Sequence, residues 1–200
     1  PVLNGTNFEE SVKYLSSLGV DSIEIGAGGY PGTAHINPAE CLESPAKVKE
    51  IKDILKKYNM KFSAFACHGN PVHPDKAFAE KSHSEFVNVM KAAVMFGVDT
   101  VVGFSGCPGD CKNSENPNWV TCAWPPEYLD ILNWQWDEIL IPYWRKTAEI
   151  AAEIGIKRIA FEMHPGFCVY NPRTLMKLRD AAGDIIGANV DPSHLFWQGI

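Results

Sequence analysis

The chain has 200 residues, 46% hydrophobic and 21% charged, enough apolar content for a substantial core in an ordinary globular fold. Its net charge of -6, without a Lys/Arg cluster, argues against a nucleic-acid binder, and no apolar run reads as a membrane span. Its six cysteines are scattered through a chain too large to need disulfide staples, so we read them as mostly reduced thiols in a cytoplasmic setting.

In chain order, "PVLNG" looks like the tail of a first strand already under way. "NFEESVKYLSSLG" places Phe8, Val12, Leu15 and Leu18 at helical spacing and stops on Gly19, a common helix terminator. "DSIEIGAGG" alternates as a strand. "SPAKVKEIKDILKKYN" is amphipathic, with Val48, Ile51, Ile54 and Leu55 on one side, and "KFSAFACHG" is the next strand. The pattern then repeats: "DKAFAEKSHSEFVNVMKAAVMFG" precedes "DTVVGFSG", a long helix around "LDILNWQWDEILIPYWRKTAEIAAEIG" precedes "RIAFEMH", and "NPRTLMKLRDAAG" precedes "IIGANVD".

No composition break divides the chain, so we expect a single domain over residues 1–200. A helix between successive strands implies parallel pairing with right-handed crossovers. The pattern is that of a (β/α)8 TIM barrel, which needs eight units and typically about 250 residues. Six are expected in this sequence, so the barrel should be incomplete, lacking about two units at its C-terminal end.

Catalytic groups of such barrels come from the C-terminal ends of the strands. In "IAFEMHPG", alternation puts Ile159, Phe161 and Met163 on one face and Ala160, Glu162 and His164 on the other. The first face suits packing against a helix; the second ends in two ionisable groups. The other strand ends offer Glu24, His68, Asp191 and His194, so three histidines and three carboxylates converge on one rim.

Each of these also has a structural reading. Glu162 and His164 fit a solvated rim, and Asp191 in "DPSH" fits a helix cap. His68 fits a turn, and Glu24 a buried structural acid paired with a neighbouring barrel residue. His73 reads as surface, and His35 and His83 carry no spacing signal. "GAGGYPG" fails as a dinucleotide fingerprint because Pro31 stands where the third glycine belongs. Cys107 and Cys111 are spaced too loosely for a zinc pair and read as loop. In the long loop from Cys107 to Pro126, Trp119 and Trp124 suit a rigid aromatic cover over the rim, or packing on the next helix with Trp134 and Trp136.

"FEMHPGFCVYNP" and "GANVDPSHLFWQG", with "DSIEIGAGGYPG" and "FACHGNPVHP" earlier in the expected order, resemble the xylose isomerase-like barrel superfamily, the sugar phosphate isomerase/epimerase group. The resemblance implies one divalent ion, Mn, Mg, Co or Zn, held by a Glu, an Asp, a His and a final Glu. Matched by motif, Glu162 and Asp191 are the first two ligands, with the other two beyond Ile200. It implies an isomerase or epimerase acting on a sugar or cyclitol, abstracting a proton beside a carbonyl and stabilising an enediolate. His164 is then the base or a substrate contact, and His194, His68, Glu24, Trp119 and Trp124 bind substrate. The alternatives are a 3-keto-sugar lyase such as a C-glycoside deglycosidase and, less favoured by the acidic charge, a DNA-repair endonuclease. The expected partners are the small substrate and, as an assembly, further copies of the chain.

Overall fold

A computed structural model describes residues 2–200. Five parallel strands, β1 (Ser22–Gly29), β2 (Lys61–His68), β3 (Thr100–Gly103), β4 (Arg158–Glu162) and β5 (Ile186–Asn189), pair strictly in chain order. Helices fill the connections, and their starts follow local chemistry. Asn7 caps α1 (Phe8–Ser17) by accepting from the Glu10 amide, and Ser44 caps α3 (Pro45–Lys57) after the short α2 (Pro38–Glu43). Asp75 accepts from two amides at the start of α4 (Lys76–Met95).

The long helix expected between "PPEY" and Gly155 is interrupted. After α5 (Pro126–Trp134), residues Gln135–Leu140 form a π-helical segment, and α6 (Ile141–Ile154) then runs to Gly155, which takes φ 104°. Gln135, at the break, is 1% exposed and donates through Nε2 to the Gly109 and Asn118 carbonyls at 2.8 and 2.7 Å. The break thus lets a buried amide hold the loop that follows β3. Asn171 and Thr174 form a reciprocal capping box on α7 (Pro172–Ala182), and α8 (Pro192–Trp197) follows β5.

Alternation gives the sheet two different faces. Phe65, Val101, Ile159, Phe161 and Ile186 point outward into the main core, packed with Met90, Trp144 and Leu178 from the helices. The inner face is floored by small side chains, Ala64, Ala66, Val102 and Ala160. Ala66 pairs with Val102, Val102 with Ala160 and Ala160 with Gly187. Two residues further on, the same row carries His68, Phe104, Glu162 and Asn189 at the C-terminal rim. The sheet is curled enough that Asn189 Nδ2 on β5 approaches Glu24 Oε2 on β1 to 3.5 Å. This is a partial TIM barrel with five of its strands.

Two expectations are corrected. The strand tail expected at "PVLNG" is absent from residues 2–5, which form turns, with Pro1 outside the described residues; the described strands therefore number five rather than six. Glu24 does not end its strand, because β1 continues to Gly29. The glycines that imitate a dinucleotide motif explain the extension. Gly29 has φ 63°, and a Cβ there would lie 1.9 Å from the His68 carbonyl oxygen, so only glycine lets β1 run this close to the end of β2.

Candidate functional site

Glu162 is the last residue of β4, and both its oxygens are engaged. His68, the last residue of β2, places Nε2 2.8 Å from Oε2; His194, in α8, places Nε2 2.8 Å from Oε1. A carboxylate only accepts, so both Nε2 atoms carry the proton and donate. The His68 bond chiefly holds the Glu162 carboxyl below its usual pKa; partial burial opposes this and the His194 bond adds to it. His68 is buried, and its Nδ1 has no hydrogen-bond partner among the described residues. With Nε2 protonated, the neutral ring keeps an acceptor lone pair on that buried atom.

Asp191 does two things. Its Oδ1 accepts from the Ser193 amide at 2.8 Å, capping α8; the Ser193 side chain first, and then this amide, lower its pKa. Its Oδ2 lies 3.5 Å from His194 Nε2. The cap and the rim position, weighed against each other from sequence, therefore coexist. One donor atom each from Glu162, Asp191 and His194 lies within 4.8 Å of the others. Two carboxylates and an imidazole are a donor set suited to Mn, Co, Zn or Mg, and His194 would join it only after Nε2 gave up the proton it donates to Glu162.

His164 stands two residues beyond β4. Its Nδ1 is 2.6 Å from the Pro165 carbonyl, which can only accept, so Nδ1 carries the proton and Nε2 of the neutral ring is left as a base. The His164 and His194 rings lie 4.2 Å apart, centroid to centroid. Glu24 is exposed among the described residues. Its pKa is raised, chiefly by desolvation and also by Glu162, with His68 opposing. A cavity of about 390 Å³ between α1 and β1 is lined in part by Glu24.

The structure therefore brings Glu24, His68, Glu162, His164, Asp191 and His194 together. Trp119 stands apart, edge-on to Tyr170 at 5.2 Å, and Trp124 is 73% exposed. No ring contact or hydrogen bond among the described residues ties either tryptophan to the cluster. Cys107 and Cys111 belong to the loop and hold no common site: the first is buried, the second exposed.

Phe104 was missed. Its ring lies 4.5 Å from His68 and 5.0 Å from His164, and Phe167 stacks on it at 4.1 Å and 22°. The signal was present: Phe104 follows Val102 by two, as Glu162 follows Ala160 and His68 follows Ala66. Asn70 was also missed. Buried beyond β2, it donates to the Cys107 carbonyl at 2.8 Å and accepts from the Cys107 amide at 3.0 Å, clamping the loop after β3.

Residues 12–199 match the family described as xylose isomerase-like TIM barrel. An uncharacterized protein, YfiH of Bacillus subtilis (strain 168), is 40% identical over 195 residues, which is 96% of this chain and 62% of that protein. The chain therefore spans less than two thirds of this curated relative. Among solved structures, a xylose isomerase-like TIM barrel protein from Mycobacterium smegmatis in complex with magnesium superposes with a TM-score of 0.60 at 16% identity, over 94% of this chain and 56% of that one. A 3-keto-D-glucoside 4-epimerase from E. coli gives a TM-score of 0.62 at 11% identity, over 95% and 65%. These two likenesses concern the fold alone. No helix among the described residues is long and apolar enough to cross a membrane. With the family match running over nearly the whole chain and the curved parallel sheet beneath it, this chain belongs to the xylose isomerase-like TIM barrel family.

Proposed function

We propose that this chain carries the proton-transfer half of a divalent-ion-dependent isomerase or epimerase acting on a sugar or cyclitol. The observation that carries the reading is Glu162 at the strand end, bonded on one oxygen by His68 and on the other by His194, with Asp191 beside His194. Glu162 and Asp191 would hold the ion, Mn, Mg, Co or Zn, and His194 is near enough either to join them or to meet a substrate oxygen. When bound, the ion supplies Lewis-acid polarisation of a carbonyl and of the hydroxyl next to it.

The remaining steps belong to this chain's own residues. His164, with Nδ1 committed to the Pro165 carbonyl, presents Nε2 to take the proton from the carbon beside the carbonyl. His68 fixes the rotation of the Glu162 carboxylate, so that a ligand or a proton acceptor is held ready without reorganisation. Elimination from a 3-keto sugar begins with the same proton removal, so a lyase would use the same groups and differ only in what leaves.

The test is proton exchange. The intact protein, loaded in turn with each of the four ions, is incubated in D₂O with ketoses and inososes and followed by NMR. Deuterium entering at a carbon beside the carbonyl supports the reading, and loss of a substituent from the next carbon selects the lyase. No exchange with any ion and any ketone rejects it.

A further inference from the structure

We propose that Cys107 and Cys168 are a redox modification site: on two-electron oxidation by a small peroxide their sulfurs join in a disulfide that ties the loop after β3 to the turn after β4. The pair shares no residue with the rim cluster, and its test is independent of the reaction proposed above.

The backbone supplies the first support. Gly106, at φ 84°, turns the chain after β3 into its loop, and its carbonyl accepts from the Cys168 amide at 3.0 Å. A bond from one residue's amide to the carbonyl just before another sets those two residues opposite each other, as in a parallel ladder. Segments paired in this way lie about 4.7–4.9 Å apart, inside the roughly 4.4–6.8 Å between Cα atoms that a disulfide spans. The next bond, from the Val169 amide to Ser105 Oγ at 2.9 Å, holds the same register. The side chains then meet. The Cys168 thiol donates to the Cys107 sulfur, and Cys107 Sγ in turn lies 3.6 Å from the Pro108 carbonyl, toward which its own proton is directed. Both residues are buried, and both thiols are free.

Acidity sets this pair apart from the other buried thiols. Burial chiefly pushes the Cys67 thiol up to about 12 and raises Cys41 as well. Cys107 moves the other way: the Cys168 thiol chiefly holds it below the usual value, burial opposes this, and the Asn118 amide adds to the lowering. Cys168 is raised well above the usual value, first by its bond to Cys107 and then by burial. Cys107 is therefore the nucleophile and Cys168 the proton-bearing partner. The Cys107 thiolate attacks a peroxide oxygen; the S–O bond forms as the O–O bond breaks, and the leaving hydroxide takes up the proton that Cys107 shed, giving water and a sulfenic acid. The Cys168 sulfur then displaces that oxygen. The S–S bond forms as the S–O bond breaks, and hydroxide leaves with the Cys168 proton as a second water. Two thiols lose two electrons in all, and the peroxide that gains them is the only other reactant.

The intact protein, reduced and then freed of reductant, is exposed to hydrogen peroxide in native buffer. Its remaining thiols are alkylated after denaturation, and its peptides are mapped by mass spectrometry without reduction. We expect a dithiothreitol-sensitive link between the Cys107 and Cys168 peptides, formed at the same rate when the two exposed thiols are removed as Cys111→Ser and Cys122→Ser. Amide exchange in residues 105–118 should slow on oxidation and recover on reduction. Cys168→Ala should leave a Cys107 sulfenic acid that dimedone traps, whereas Cys107→Ala should leave no adduct at Cys168; should either variant fail to fold, the peptide map of the parent decides. Oxidation confined to Cys111 and Cys122, with Cys107 and Cys168 recovered as alkylated thiols, overturns the proposal. So does a Cys107–Cys168 link that forms only in urea, the mark of an unfolded chain, and so does a link that leaves exchange in residues 105–118 unchanged.

Discussion

His68 and Glu162 are 94 residues apart in sequence, yet Nε2 of the one lies 2.8 Å from Oε2 of the other. They end β2 and β4, with β3 between them, and parallel register puts both on the inner row of the rim. Because this bond is the main cause that holds the Glu162 pKa down, it links folding to pH. A depressed carboxylate contributes stability that is present above its unfolded value of about 4.3 and is lost as pH falls through the folded value. Glu162→Gln should therefore be less stable than the parent near pH 7, with the difference shrinking as pH drops below about 4. Denaturant midpoints across that range check this; a difference that does not change with pH would contradict it.

Metal and base should separate by mutation. Glu162→Gln and Asp191→Asn are expected to lose affinity for the ion and activity together. His164→Asn should keep the ion and lose ~10²–10⁴-fold in rate, roughly 3–5 kcal/mol. Titration calorimetry with Mn and single-turnover rates measure the two quantities. If His164→Asn loses the ion as completely as Glu162→Gln, His164 is itself a ligand.

The Asn70 side chain, 3% exposed, bonds both the carbonyl and the amide of Cys107 and also accepts from the Val72 amide at 3.3 Å. Asn70→Ala leaves a buried amide and carbonyl unpaired and should cost about 1–3 kcal/mol per group stranded. Amide exchange should quicken in residues 105–118 more than in β1 or β5. Uniform quickening throughout the sheet would mean that the clamp is not local.

Gly29→Ala should cost at least about 1–3 kcal/mol in backbone strain and crowd the His68 carbonyl. Gly32→Ala is the matched control, since φ is 72° there but nothing lies within 4 Å of an added Cβ. If the two variants have equal melting temperatures and equal activity, the close approach of β1 to β2 is not what Gly29 serves.

Trp124→Ala should alter stability by no more than about 0.5 kcal/mol, as for an exposed side chain without special contacts. Unchanged turnover would place sugar stacking elsewhere. A fall in kcat/KM with unchanged melting temperature would restore the aromatic cover expected from the loop sequence.

The strand ends were legible because their signal is local. In "IAFEMHPG" the alternation, the carboxylate and the Pro-Gly break lie within eight residues, and "DPSH" carries both its cap and its rim groups within four. What was not legible depends on register or on a partner far along the chain. Phe104 reads as core by residue type, and only the two-residue step from Val102, which needs the row of small residues to be recognised first, marks it as inward. Gln135 makes the π-helical segment useful only through carbonyls in a loop it follows by 17 and 26 residues. "PVLNG" has the composition of a strand end, but residues 2–5 turn instead, with the Thr6 amide bonding back to the Leu3 carbonyl.

The bond from His164 to Pro165 also bears on stereochemistry. A backbone carbonyl can only accept, so this bond holds the ring in one tautomer and one orientation. On the proposed reaction, a base fixed in this way would address only one side of a planar enediolate. Returning the proton to that side retains configuration at the carbon, whereas inversion requires a second group to deliver it from the opposite side. The handedness of the product thus counts the residues that handle the proton.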